Sequence, residues 1–318
     1  MATSGTATFA RTRNEIISAA ARKIGAIRAG ETMGAQMLTD FDEALNALVK
    51  HWQGSMGLHV WTVEEATLFP QVDQARYEIG ASGTDHVTDT YTDYTRTTLS
   101  AAEASGQTVL SLTATTGMAT SDKIGIELDD GTIQWTTVSS FNSTTATVAV
   151  ALTSAAASGN AVYYYTNRIV RPLKIVAARR FDPANNTETP IEIFAHLDYQ
   201  NLPRKSENGE ISVIHYDPRR GSNGYLYIWQ TPSAVSSLIR FTYHRPIEDF
   251  SAAGDNPDLP QEWILALQFN LALVMAVEYS VPPQKFEMIA AMAGGYLDQV
   301  SGSDREPESL FMQPDMGM

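Results

Sequence analysis

At 318 residues and 34.7 kDa the chain is long enough to bury a substantial apolar core without a metal or a disulfide. It has no cysteine, which excludes a disulfide-stapled scaffold, a thiol nucleophile and a cysteine-built zinc or iron–sulfur site, and it fits cytosolic synthesis. With 36 acidic against 22 basic residues the formal net charge is −14, which disfavours generic attraction to nucleic-acid phosphates or anionic membranes and leaves such contacts to a local basic patch.

The first residues are small and polar and lead to Arg11 and Arg13 without an apolar run, so no export signal is expected. Thr12-Arg13-Asn14-Glu15 is a capping-box pattern that predicts a helix start. Ile16, Ile17, Ala20, Ala21, Ile24 and Ile27 then recur at three- and four-residue steps, and Gly30 is the expected stop. A second helix is predicted over 36–56 from Leu38, Phe41, Leu45, Leu48, Val49, Trp52 and Met56, with Gly57 as its C-cap, so the two form a helical hairpin. Short strands are expected at 66–69 and 75–79, separated by Pro70.

Between 85 and 166 the composition shifts to Ser, Thr, Ala and Val. Alternating runs at 109–112, 123–128, 133–138, 146–152 and 161–165 read as a small all-β module, with Asp129-Asp130-Gly131 as a hairpin turn. From Arg168 onward further strands are expected at 170–177, 190–194, 211–216, 224–230 and 238–243. Leu259-Pro260-Gln261-Glu262 opens a long helix with proline in its first turn, Pro282-Pro283 ends it, and a last helix covers 284–300. The apolar run at 263–277 is shorter than the ~20 residues of a bilayer crossing and contains Gln268 and Asn270, so it reads as a buried helix and no membrane contact is expected. The fold class is therefore α+β: a discontinuous helical and strand-rich core from 1–84 and 167–300, an inserted β module at 85–166, and an extended tail at 301–318.

Catalytic signatures are missing together: there is no Gly-x-Ser-x-Gly elbow, phosphate loop or His-Glu-x-x-His helix. His51, His59, His86, His196, His215 and His244 lack the spacing of a helical zinc pair, so neither an enzyme nor a metal or cofactor site is expected. Glu64-Glu65 and Asp129-Asp130 are adjacent and point to opposite sides of a strand or belong to a turn, unlike two carboxyls converging across a cleft. Arg168, Arg171, Lys174, Arg179 and Arg180 form the densest basic stretch, a candidate contact patch for DNA or an acidic protein and equally a solvated strand edge. Tyr163, Tyr164 and Tyr165 alternate faces and read as packing. The alternative function, a carbohydrate-binding protein that uses the β module as a lectin, would need more clustered aromatics than Trp135 and these tyrosines supply.

The order of several segments resembles the head-to-tail adaptor proteins of short-tailed bacteriophages, of the connector or tail tubular protein type. The resemblance rests on the N-terminal hairpin, Ala66-Thr67-Leu68-Phe69-Pro70 leading to Ala75-Arg76-Tyr77-Glu78-Ile79-Gly80, Asp198-Tyr199 through Leu202-Pro203, and Tyr216-Asp217-Pro218. It continues in Tyr225-Leu226-Tyr227-Ile228-Trp229, Tyr243-His244-Arg245-Pro246-Ile247-Glu248-Asp249-Phe250, and Leu259-Pro260-Gln261-Glu262-Trp263 followed by Ala266-Leu267 and Asn270-Leu271-Ala272. It covers about 10–80 and 168–300; the inserted module departs from the smallest adaptors. The resemblance implies a structural virion protein at the head–tail interface, assembled in the host cytoplasm as a ring of twelve copies. Such a ring binds the portal protein, offers a docking face to later tail or nozzle proteins, and lets DNA pass without sequence-specific binding. It also implies a C-terminal segment laid along the portal, for which Leu310, Phe311 and Met312, flanked by Pro307 and Pro314, are the apolar anchor.

Overall fold

The structure, a computed structural model, describes residues 8–55, 60–89 and 94–304. The expected anchor Leu310, Phe311 and Met312 lies outside the described residues, as do Met56, Gly57 and His59. Among the described residues the α-helices are α1 (Arg13–Ile24), α2 (Ala35–Ser55), α3 (His196–Gln200), α4 (Trp263–Glu278) and α5 (Pro283–Ser303). The strands are β1 (Val63–Leu68), β2 (Arg76–Ile79), β3 (Tyr94–Thr98), β4 (Val109–Ser111), β5 (Lys123–Glu127), β6 (Ile133–Phe141), β7 (Thr145–Val148), β8 (Ala161–Tyr165), β9 (Lys174–Asp182), β10 (Thr187–Ile193), β11 (Val213–Asp217), β12 (Gly224–Trp229) and β13 (Leu238–His244). The fold is α+β. Its contacts define two units, Met1–Thr62 with Ile247–Met318, and Val63–Pro246.

In the first unit the apolar stripes of α1 and α2 meet α4. Ile16, Ile17, Ala20, Phe41 and Leu45 pack with Leu267, Leu271 and Met275, and each fully buried aliphatic side chain contributes about 1.5–3 kcal/mol. Thr12 caps α1 as the sequence predicts: its hydroxyl accepts from Glu15 N, and Glu15 Oε2 accepts from Thr12 N at 3.0 Å. The helix ends at Gly25, not at Gly30. Gly25 adopts the left-handed φ of +84° and donates to the Ala21 and Arg22 carbonyls, a C-cap that side-chain-bearing residues rarely adopt. Pro260 stands ahead of α4 rather than in its first turn, where its carbonyl accepts from Trp263 N. Trp263 meets the rings of Trp52 and Trp61 at 5.8 and 6.5 Å. Asn270 ties α4 to α5 by donating to the Ala293 carbonyl at 3.2 Å.

The second unit holds two sheets among the described residues. One is seven-stranded, in the order β1-β13-β9-β10-β11-β12-β2, antiparallel except for β10 beside β11. Leu68, Tyr77, Ile214, Leu226, Ile228, Phe241 and Tyr243 belong to the buried cluster packed against it. The other is six-stranded, in the order β3-β8-β5-β6-β7-β4. Its ends meet: Ser100 N donates to Ser111 O and Thr113 N to Thr98 O, each at 2.9 Å, so the sheet closes into a small barrel. Leu110, Ile124, Ile126, Val138, Val162 and Tyr164 fill the interior. The expected boundaries near 84 and 166 thus fall inside the second unit, between its two sheets.

The sequence reading misses the short helix α3 and the strand β3, and it sets β9 too early. β3, Tyr-Thr-Arg-Thr-Thr, has no apolar alternation and buries only Thr97; pairing with β8 along its full length holds it. β9 extends to Asp182, beyond the expected 177, which places Arg179 and Arg180 within a strand.

Candidate functional site

The structure disperses the basic stretch. Arg168 Nη1 donates to the Gly83 carbonyl at 2.7 Å and its Nη2 lies 3.2 Å from His86 Nε2, while Arg171 Nη1 donates to the carbonyls of Pro218 and Arg219. Lys174 begins β9 and is exposed. Arg179 and Arg180 project to opposite faces of β9, the first paired with Glu65 and Glu188, the second with Glu210 at 2.7 Å. Glu188 also accepts from the buried Arg240, whose guanidinium lies over the Phe181 ring. Carboxylates or carbonyls therefore occupy four of these five cations, and they do not present one cationic surface.

Tyr163 and Tyr165 leave the barrel on the side that faces the seven-stranded sheet, where they are buried with Phe69, Phe181, Val235 and Leu238. The Phe69 ring centroid lies within 4.9–6.0 Å of those of Tyr94, Trp135, Tyr163 and Tyr165. His86 stacks on Trp135 at 4.0 Å and 5°. Because its Nε2 faces a guanidinium donor, its proton sits on Nδ1, which donates to the Tyr165 hydroxyl at 2.8 Å. Burial first, then the charges of Arg168 and Lys123, push the His86 pKa down to about 3, so it stacks as a neutral ring. Gln71 completes the seam, donating to the Ile133 carbonyl and accepting from Ile133 N. The aromatics that a sugar site would use are committed to this seam.

The carboxylate pairs are structural ties. Glu64 accepts from the Tyr243 hydroxyl and pairs with Arg245 at 2.8 Å, while Glu65 pairs with Arg179. Asp129 accepts from Ala157 N and Asn160 Nδ2, and Asp130 accepts from both the backbone and the hydroxyl of Thr132, whose hydroxyl bond chiefly holds its pKa low. His215, Tyr199 and Tyr227 form a cluster of three mutually touching rings with centroids 5.4–5.8 Å apart, and His215 Nδ1 is 3.0 Å from the Phe194 carbonyl. Among the described residues no group of three or more His, Asp and Glu could hold a metal ion, and no helix is long and apolar enough to cross a membrane.

Apolar side chains also stand exposed on the helices of the first unit, with Leu265 on the opposite side of α4 from Val274. Leu265, Val274 and Val277 of α4 and Met288 and Met292 of α5 are exposed, Val277 to 72% and Met288 to 58%. The signal was in the sequence: α4 carries apolar residues on every side, more than one buried face needs, and Met288 and Met292 stand four apart on α5.

No protein-family model matches the chain, and no curated protein matches it. Among solved structures it is similar to the VP16-VP17 complex, a complex of the two major capsid proteins of bacteriophage P23-77. The identity is 11%, covering 56% of this chain and 81% of that one, with a TM-score of 0.12.

Proposed function

We propose that the chain is a structural virion protein, a head-to-tail adaptor whose copies form a ring between portal and tail and extend the DNA channel. The observation that carries this reading is the number of apolar side chains left exposed on α4 and α5, Val277 and Met288 the most open of them. Apolar side chains left open on two neighbouring helices mark a contact surface, and a second copy of the chain covers them when identical subunits close into a ring. The Leu259-Pro260-Gln261-Glu262-Trp263 segment, the most telling stretch of the adaptor resemblance, leads directly into α4. In this reading Leu310, Phe311 and Met312 anchor the tail on the portal, and later tail proteins dock on the ring.

Light scattering on the full chain, alone and mixed with a portal protein, tests the reading. A multi-copy ring, or one that forms on the portal, is expected. A chain that stays monomeric at every concentration and ignores portal overturns it.

A further inference from the structure

The first unit contains a cleft of about 610 Å³ between α1 and α4, and its lining is cationic although the whole chain is strongly acidic. Arg11 stands at one end and Arg22 and Lys23 at the other, roughly 16 Å apart along α1 at 1.5 Å per residue. Glu15 is the single carboxylate of the lining, and it is already engaged by Arg11 at 3.2 Å and by the backbone of Thr12.

Lys23 is the centre of the argument. Its ammonium turns into the cleft, donates to Gln268 Oε1 at 2.9 Å and lies 4.7 Å from the Phe269 ring centroid. No carboxylate pairs with it or with Arg22 among the described residues. A half-buried cation held only by a neutral amide and a ring face, beside a second cation, lacks the compensating charge that buried ammonium groups normally find. Burial chiefly, and then the Arg22 charge, hold its pKa below the ordinary lysine value. Asn14, Ser18 and Gln268 add neutral polar groups along the floor.

We infer that this cleft binds a phosphate-class anion, the phosphodiester backbone of DNA, through Arg22 and Lys23. The site is a furrow along a helix rather than an enclosed pocket, so it suits a strand that crosses it better than a small ligand that must be mostly buried to bind. Contacts of this kind read no sequence and are salt-dependent. The inference goes beyond the adaptor reading and does not rest on it.

The test is fluorescence anisotropy of a labelled random-sequence duplex against the full chain over a salt series, with inorganic phosphate as competitor. The wild-type protein is expected to bind with a Kd on the order of 10⁻⁵ M at low salt. The Arg22→Gln/Lys23→Gln variant should lower the slope of log K against log salt by about 2, one for each lost phosphate contact. Arg28→Gln, a single charge loss on the same unit outside the cleft and the match for Arg22→Gln alone, should leave the slope unchanged. Arg22→Gln alone, at an exposed site that leaves the Lys23–Phe269 packing intact, should lower it by about 1.

No binding by the wild-type chain, an unchanged slope in the double variant, or an equal loss in Arg28→Gln each overturns the assignment. Saturation by inorganic phosphate without any DNA binding overturns the phosphodiester source. Light scattering on the same samples separates the two claims: a monomer that binds DNA sinks only the adaptor reading, and a ring that ignores DNA sinks only this one.

Discussion

At the scale of single residues the seam makes two positions sensitive for different reasons. The His86 pKa falls from the ordinary 6.5 to about 3, so between those values the unfolded chain takes up a proton that the folded chain refuses. Stability is then full above pH 6.5 and falls as the pH drops toward 3, by at most about 1.4 kcal/mol per unit, less where His86 remains partly hydrated. Thermal melts between about pH 6.5 and pH 5, before most carboxylates titrate, should show a falling midpoint, and His86→Gln should flatten that trend. A wild-type slope that survives in His86→Gln assigns the effect elsewhere. Gly125 is sensitive through space: a Cβ there would stand 2.8 Å from the Trp135 ring. Gly125→Ala should push the ring off His86 and cost about 1–3 kcal/mol in chemical denaturation.

At the scale of elements Phe69 joins what the chain order separates. It follows β1 of the seven-stranded sheet, yet its ring packs on Tyr163 and Tyr165 of β8 and on Trp135 of β6. Phe69→Ala should destabilise the second unit by about 3–5 kcal/mol, and calorimetry should show the barrel transition separating from that of the remaining sheet. A single transition with an unchanged midpoint would place the coupling elsewhere. Periodicity made most elements legible, because Ile16 to Ile24 on α1 and Leu226 and Ile228 on β12 bury one regular face each. The seam was not legible. Tyr163, Tyr164 and Tyr165 show that both faces of β8 are apolar, but only the fold reveals that one faces the barrel interior and the other the seven-stranded sheet. The cleft was hidden for a related reason, since Lys23 and Gln268 are 245 residues apart. The basic run at 168–180 looked like a surface because sequence shows its charges and not the distant partners Glu65, Glu188 and Glu210.

At the scale of the whole molecule the adaptor reading asks two surfaces to do separate work. In that reading Val277 and Met288 would serve contacts between copies, so Val277→Asp with Met288→Glu should shrink the assembly seen by light scattering. Because both side chains are largely exposed, the variant's thermal midpoint should barely move, as surface changes usually stay within about 0.5 kcal/mol. In the same reading the tail would serve the portal contact. Leu310-Phe311-Met312 is the apolar cluster of residues 301–318, and an anchor must offset the entropy of whatever segment it fixes. Phe311 offers the largest area of the three, so Phe311→Ala should weaken co-sedimentation with portal while leaving both ring size and thermal stability unchanged. Truncation after Asp304, which keeps α5 whole, should weaken it further. If the truncated chain sediments with portal as well as the full one, the portal contact belongs to the helical unit. The exposed faces of α4 and α5 would then have to serve both the neighbouring copy and the portal, and Val277→Asp with Met288→Glu would remove both contacts at once.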